Sequence, residues 1–307
     1  MRTIEDTGAA SGREDAREAR ATDPDRVRER LLAGLPVTQS RLELAGVSTT
    51  LIEAGDGDPV VLLHGPGEHA PKWLRVIPGL AEMHRVIAPD LPGHGASTIL
   101  EAGPLDGERV LSWLGELIDR TCPSPPILIG QIVGGAIAAR FAIDHGERIR
   151  RLVLVDSLGL APFDPAPEFG EALMSFMTDP TEDHHDRLWR HCAYDIDLLR
   201  ERMGERWGPF RAYNIDRAGT PSVSDAVQAL MEAFGYPPIP EEDLDRVDVP
   251  TTLIWGRHDL ATSLEVAERA SERYGWPLHV IDDAADDPAL ECPDAFIDVI
   301  RRTVAAA

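Results

Sequence analysis

Hydrophobic and polar positions follow two regimes along this chain. Short, nearly continuous apolar runs at Val60–Leu63, Val86–Ala88, Ile127–Ile129, Leu152–Val155, Thr252–Trp255 and His279–Ile281 predict buried strands. Arg41–Leu44 and Thr49–Ile52 flank Gly46 as the two arms of a hairpin would. Between these runs, Val110–Ile118, Gly134–Ala142, Leu264–Tyr274 and Pro293–Val304 carry helical patterns. Strands buried on both faces and alternating with helices predict an α/β fold with a mostly parallel central sheet. The rhythm breaks between Leu158 and Asp245. There Ala172–Phe176, Asp186–Cys192, Leu198–Met203 and Val223–Phe234 predict helical segments split by Pro and Gly, a cap inserted between two core strands. At the other end, residues 1–22 form a polar, charge-mixed arm. A short helix follows it, capped by Asp23, started by Pro24, striped by Val27, Leu31 and Leu32, and stopped by Gly34. The expected organisation is an arm over 1–36, core over 37–158, cap over 159–244 and core again over 245–307.

Composition narrows the partners. Lys+Arg number 30 against 53 Asp+Glu, a formal charge of −23, which repels nucleic acid and anionic membrane. No run of eighteen apolar residues and no apolar leader region is present, so a cytoplasmic protein is expected. Cys122, Cys192 and Cys292 lie far apart, which speaks against a disulfide framework or a zinc site. Lys72 is the only lysine, and the arginine bias reads as GC-rich coding rather than chemistry. The expected partner is a small molecule, with no cofactor and no metal. A homodimer is compatible with all of this.

Several motifs occur in a recognisable order. His64-Gly65 ends a strand, Asp90-Leu91-Pro92-Gly93-His94-Gly95-Ala96-Ser97 follows another, Leu253–Asp259 forms a strand and turn, and Glu291-Cys292-Pro293 starts the last helix. Together they resemble the α/β-hydrolase superfamily over roughly residues 40–307. The resemblance implies an α/β-hydrolase fold with an inserted helical cap. It also implies an oxyanion motif at His64-Gly65, a triad acid at Asp259 and a nucleophile elbow written G-x-S-x-G.

The catalytic positions depart from that pattern twice. The elbow reads Gly130-Gln131-Ile132-Val133-Gly134, so an alkyl side chain stands where a nucleophile is expected, and it can neither attack nor be activated. The triad histidine is expected five residues before Glu291, where the chain has Asp286. Only the acid, Asp259, is in place, with Asp156 at the preceding strand end as a lower-ranked candidate. A Ser-His-Asp mechanism needs all three members, so a covalent acyl-enzyme at the elbow is excluded.

The surviving candidates form an acid/base set. Asp259 and Asp286 are expected to meet beneath the cap as a dyad in which one carboxyl holds a proton, with Asp287 able to substitute if the loop register shifts. The competing view makes Asp286 and Asp287 a helix cap or a solvated loop. Tyr194 and Tyr213 are candidate cap acids. The ligand wall is expected to include His64, Gly65, Gln131, Ile132, Val133, Trp189 and His191, with the Val133 N–H as a donor and His64 as a structural tie in its loop. Pro66 has no N–H to give. Trp207 and Phe210 read as cap core, Ser97 and Ser157 as a helix cap and a strand end, and His184-His185 as a solvated turn rather than a metal site.

Three functions fit this inventory. The first expectation is a non-hydrolytic enzyme of natural-product biosynthesis, a cyclase or one promoting C–C bond formation or epoxide opening on an apolar, polycyclic aromatic substrate. The alternatives are a non-catalytic binder of small ligands and a non-covalent hydrolase using an Asp-activated water.

Overall fold

Nine strands build one sheet in the computed structural model, which describes residues 23–305. They are β1 (Thr38–Leu44), β2 (Val47–Ala54), β3 (Asp58–Leu63), β4 (His84–Pro89), β5 (Thr98–Ile99), β6 (Ile127–Gln131), β7 (Arg151–Val155), β8 (Thr251–Gly256) and β9 (Leu278–Ile281). The spatial order is β1-β2-β4-β3-β6-β7-β8-β9, with β5 paired to β2. From β4 to β9 all neighbours are parallel, and β1 and β2 add an antiparallel edge. This is the α/β-hydrolase fold, with helices on both sides of the sheet. The polar arm expected over 1–22 lies outside the described residues.

The continuous apolar strands are explained by what they separate. Val61 and Leu63, Leu128, Leu152 and Leu154, and Leu253 and Trp255 enter one core, which is filled by the helices Gly107–Thr121 and Val133–His145. Their alternate neighbours Val60 and Leu62, Ile127 and Ile129, Val153 and Val155, and Ile254 enter a second core on the opposite face, against Trp73, Phe296 and Ile300. A period-two side-chain pattern buried on both faces leaves no polar position to expose, hence the unbroken runs.

Residues 159–244 contain no strand. Their helices are Pro167–Thr178, Glu182–Cys192, Ile196–Met203, Trp207–Ala218, Pro221–Leu230, which runs into a π-helical turn at Met231–Gly235, and the single turn Glu241–Leu244. The helix Trp207–Ala218 is not among the segments expected from the sequence, although Trp207, Phe210 and Tyr213, three residues apart, all enter one core. A third core joins this layer to the helix Pro24–Leu32 through Val27, Leu31, Trp189, Phe210 and Tyr213. Arg28 of that helix makes a buried 2.9 Å ion pair with Asp90, whose carboxylate also accepts from the backbone of Ala70 and Ala96. The N-terminal helix thereby fixes the loop that opens the site. Among the described residues no helix is long and apolar enough to cross a membrane.

Candidate active site

Ile132 sits at the apex between β6 and the helix Val133–His145, at φ 50° and ψ −113°. A positive φ is costly for a β-branched residue, on the order of 1–3 kcal/mol, and persists only where the surroundings impose it. Here they do. The Ile132 N–H donates to Val155 O at 3.1 Å, and its carbonyl accepts from Ala136 and Leu158 at 3.2 and 3.1 Å. The flanking glycines permit the bend: a Cβ on Gly130 would lie 2.3 Å from Gly134 O, and one on Gly134 2.5 Å from Leu63 O. The sharp turn is therefore fully built with an alkyl side chain at its apex.

A cavity of about 660 Å³ opens beside this apex, walled by strand-end loops below and by the helices of 167–231 above. Phe163, Phe169, Phe176, Trp189 and Phe210 make much of its wall, and Ile132 forms part of the floor. Its polar groups gather with Glu68, His69, Lys72, Cys192, Asn214 and Asp286.

Lys72 is the hub of the polar corner. Its side chain is 1% exposed, and Nζ lies 2.9 Å from Glu68 Oε1 and 3.3 Å from Asp287 Oδ2, and donates to Gln131 Oε1. The hydrogen bond goes to Gln131, and the two carboxylates meet the charge as ion pairs. Burial pulls this ammonium down, but Asp287, Glu68 and Asp286 outweigh it, and the net shift is upward. Glu68 also accepts the Gly65 N–H at 2.6 Å, so that N–H is spent. Gln131 bridges the corner by donating to Asp286 O at 2.6 Å.

The acids are pushed toward protonation. Burial, then Asp259, Asp287 and Glu68, hold the Asp286 carboxyl well above the usual range. Burial raises Asp287 to about 6 against the pull of Lys72, and raises Asp259 to about 6 against the donors of its own turn. Those donors are the Ala261 and Thr262 N–H groups and the Thr262 hydroxyl, at 2.7, 3.0 and 2.5 Å. Asp156, at φ 43°, abuts Asp259, and burial with that neighbour lifts it well above the usual range. The Cys192 thiol is pushed well up by burial and by Asp286, so it stays protonated and is no attacking thiolate.

A second polar chain descends from the cap. Asp186, paired with Arg200 at 2.9 Å, is an acceptor, so His185 Nδ1 donates to it at 3.4 Å and His185 Nε2 accepts from Asn214 Nδ2 at 3.2 Å. Asn214 then presents Oδ1 to His69 Nε2–H at 2.9 Å. Burial pushes His69 down to about 3, so the ring is neutral and Nδ1 carries a bare lone pair, which has no partner.

Of the candidates from the sequence, Ile132, Trp189 and Asp286 reach the cavity wall. Asp259 does not, because its carboxylate is held within its own turn, so the expected Asp259–Asp286 dyad becomes a buried Asp156–Asp259 pair behind the cavity-facing Asp286. Asp287 turns away to Lys72. Tyr194 is 51% exposed and stacks on His258 at 4.3 Å, which removes it as a cap acid. Tyr213 is buried between His69 and the Arg28–Asp90 pair, and burial and Asp90 push its phenol up. His64 is a loop tie, its Nδ1 donating to Gly65 O at 2.8 Å and its Nε2 accepting the Leu91 N–H at 3.0 Å. Gly65 and Gln131 are consumed by Glu68 and Lys72, and Val133 and His191 lie off the wall. The expected turn at His184-His185 is instead part of the helix Glu182–Cys192, with His185 fully buried. Among the described residues no group of three or more His, Cys, Asp or Glu is placed to hold a metal ion.

Lys72, Glu68, His69, Cys192 and Asn214 were missed. The signal for the first two was present: a lone lysine four residues after a glutamate, in the loop following the His64-Gly65 motif.

The family model for the alpha/beta hydrolase fold matches residues 58–291. The chain is 28% identical over 278 residues to a pimeloyl-[acyl-carrier protein] methyl ester esterase of Aeromonas hydrophila, covering 84% of this chain and 100% of that protein. It is 27% identical over 272 residues to a 2-hydroxy-6-oxo-2,4-heptadienoate hydrolase of Pseudomonas putida, covering 87% and 96%. The structure of a 2-hydroxy-6-oxo-6-phenylhexa-2,4-dienoate hydrolase from Rhodococcus sp. strain RHA1 superposes with a TM-score of 0.76 at 25% identity, over 88% of this chain and 99% of that one. These relatives are enzymes, and their names are those of hydrolases. They overturn the expectation of a natural-product cyclase or C–C bond-forming enzyme. Ile132 leaves no attacking atom at the elbow apex, and hydrolysis does not require a nucleophile at that position.

Proposed function

This chain belongs to the α/β-hydrolase fold family, and within it we propose a hydrolase that attacks its substrate with an aspartate-activated water instead of a side-chain nucleophile. The observation that carries the reading is that the Asp286 carboxyl lies on the cavity wall that also holds Ile132 at the elbow apex, while the other wall carboxyl, Glu68, is paired with Lys72. The similarity to named esterases and dienoate hydrolases supports hydrolysis as the reaction class. An acyl group with an apolar chain or ring suits the aromatic walls.

In this scheme the ionised Asp286 takes a proton from water as the water oxygen bonds to the acyl carbon. The bond from that carbon to the leaving group breaks, and Asp286 returns the proton to the departing oxygen or carbon. Asp287 and Glu68 hold Lys72 charged nearby, which limits the negative charge of the corner when Asp286 ionises. At the elbow the Ile132 N–H is spent on Val155 O, and Val133 lies off the cavity wall, so neither is placed to receive the developing oxyanion. Gly65 N–H is spent on Glu68 and Pro66 has none, so few donors face the developing oxyanion and modest rates are expected.

The test is a panel of neutral aryl-alkyl esters and vinylogous diketones turned over in ¹⁸O-enriched water. The expected result is catalytic release of acid carrying one solvent oxygen. Absence of turnover across the panel, with ligand binding intact, would instead favour a binding protein.

A further inference from the structure

The charged groups of the cavity are arranged in a way that water activation alone does not require. Lys72 is the one lysine or arginine among the residues lining it; its ammonium is ion-paired with Glu68 at 2.9 Å and with Asp287 at 3.3 Å, and it donates to Gln131. That ammonium is already paired with two carboxylates before any ligand enters. His69, the other basic residue on the wall, has its Nε2–H bound to Asn214 and offers an acceptor, not a cation. Two acids, Glu68 and Asp286, face the same space, and the remaining wall is largely apolar and screens charge weakly. A carboxylate entering here meets the Glu68 carboxylate, the His69 lone pair and an ammonium already paired with two acids.

We infer that the cavity selects its ligands by charge, admitting apolar molecules with an uncharged polar head and excluding carboxylates of the same shape, with Glu68 and Asp287 setting that specificity by closing off Lys72. The inference rests on the hydrolytic reading only in taking this cavity as the substrate site. An uncharged head that carries an N–H or O–H is favoured further, because His69 Nδ1 can accept from it.

Titration calorimetry on the full chain at about pH 8, where a free carboxylic acid is ionised, tests this with 5-phenylpentanamide and 5-phenylpentanoate, which differ in head charge and little in shape. The amide is expected to bind at least about tenfold more tightly, since like-charge juxtaposition in an apolar site is strongly unfavourable. In Glu68→Gln and in Asp287→Asn the gap is expected to narrow by about threefold or more, as one negative charge on Lys72 is removed. Equal or tighter binding of the carboxylate to the native chain, or no detectable binding of the amide, overturns the inference. So does a ratio unchanged in both variants. Because the readout is binding, selectivity without turnover would remove the hydrolytic reading alone, and turnover with equal affinities would remove this inference alone.

Discussion

Asp286→Asn is expected to lower kcat/KM by about 10²–10⁴, the usual contribution of a positioned general base, with KM nearly unchanged. Asparagine keeps the volume and the polarity but cannot take a proton from water. The substitution is also mild for folding, because burial and the surrounding acids already favour the neutral carboxyl at this position. A thermal transition close to that of the native chain would separate lost chemistry from lost structure. The pH profile supplies a second readout. Asp286 must be ionised to act as a base, and its carboxyl is held well above the usual range by burial, then by Asp259, Asp287 and Glu68. Activity of the native chain therefore rises with pH through an apparent pKa above that of an ordinary carboxylate, one belonging to the coupled group of acids rather than to Asp286 alone. In Asp286→Asn this limb disappears. A variant that keeps kcat/KM within about threefold of the native value would remove Asp286 from the mechanism.

Lys72→Met is expected to destabilise the fold by about 3–5 kcal/mol near pH 8, the cost of leaving buried acids without their cation. For a chain of this size that is a drop of roughly 10 °C in the thermal midpoint. Methionine matches the length of the stem, so packing is largely kept and the electrostatic part is isolated. The sign of the pH dependence follows from Asp287. Its folded value, about 6, is above that of the unfolded chain, so its contribution to stability is fully present below the unfolded pKa and is lost as pH rises through about 6. Without Lys72 that value rises further, and ionisation in the fold becomes more costly. The deficit of the variant is therefore larger at about pH 8 than at about pH 5, where Asp287 is protonated in both proteins. Paired melting curves of the two proteins across this range check it. A constant deficit would mean that Lys72 acts through its stem and not through its charge.

Much of the fold was legible because the strands are buried on both faces: Val60–Leu63 and Leu152–Val155 have no polar position, and that pattern fits few architectures. The elbow was legible from Gly130 and Gly134, since close strand-to-helix packing there admits no side chain. The polar corner was not. Which of Asp286 and Asp287 faces the cavity depends on one residue of register in a loop, and a period of one is invisible to hydrophobic patterning. Tyr194 and Tyr213 were misplaced for a related reason. Both lie in or beside aromatic-rich helices, and neither composition nor spacing says which side of such a helix meets the cavity. Lys72 was seen as the only lysine and set aside as codon bias, although four surrounding groups, Glu68, Asp286, Asp287 and Gln131, make it the centre of the site.

The absence of a covalent intermediate is tested most directly by intact-protein mass spectrometry of samples quenched during turnover of a neutral ester. With water as the nucleophile, the protein mass stays that of the free chain while acid product accumulates. A fraction of protein carrying the mass of the acyl group, on any side chain, would contradict the account.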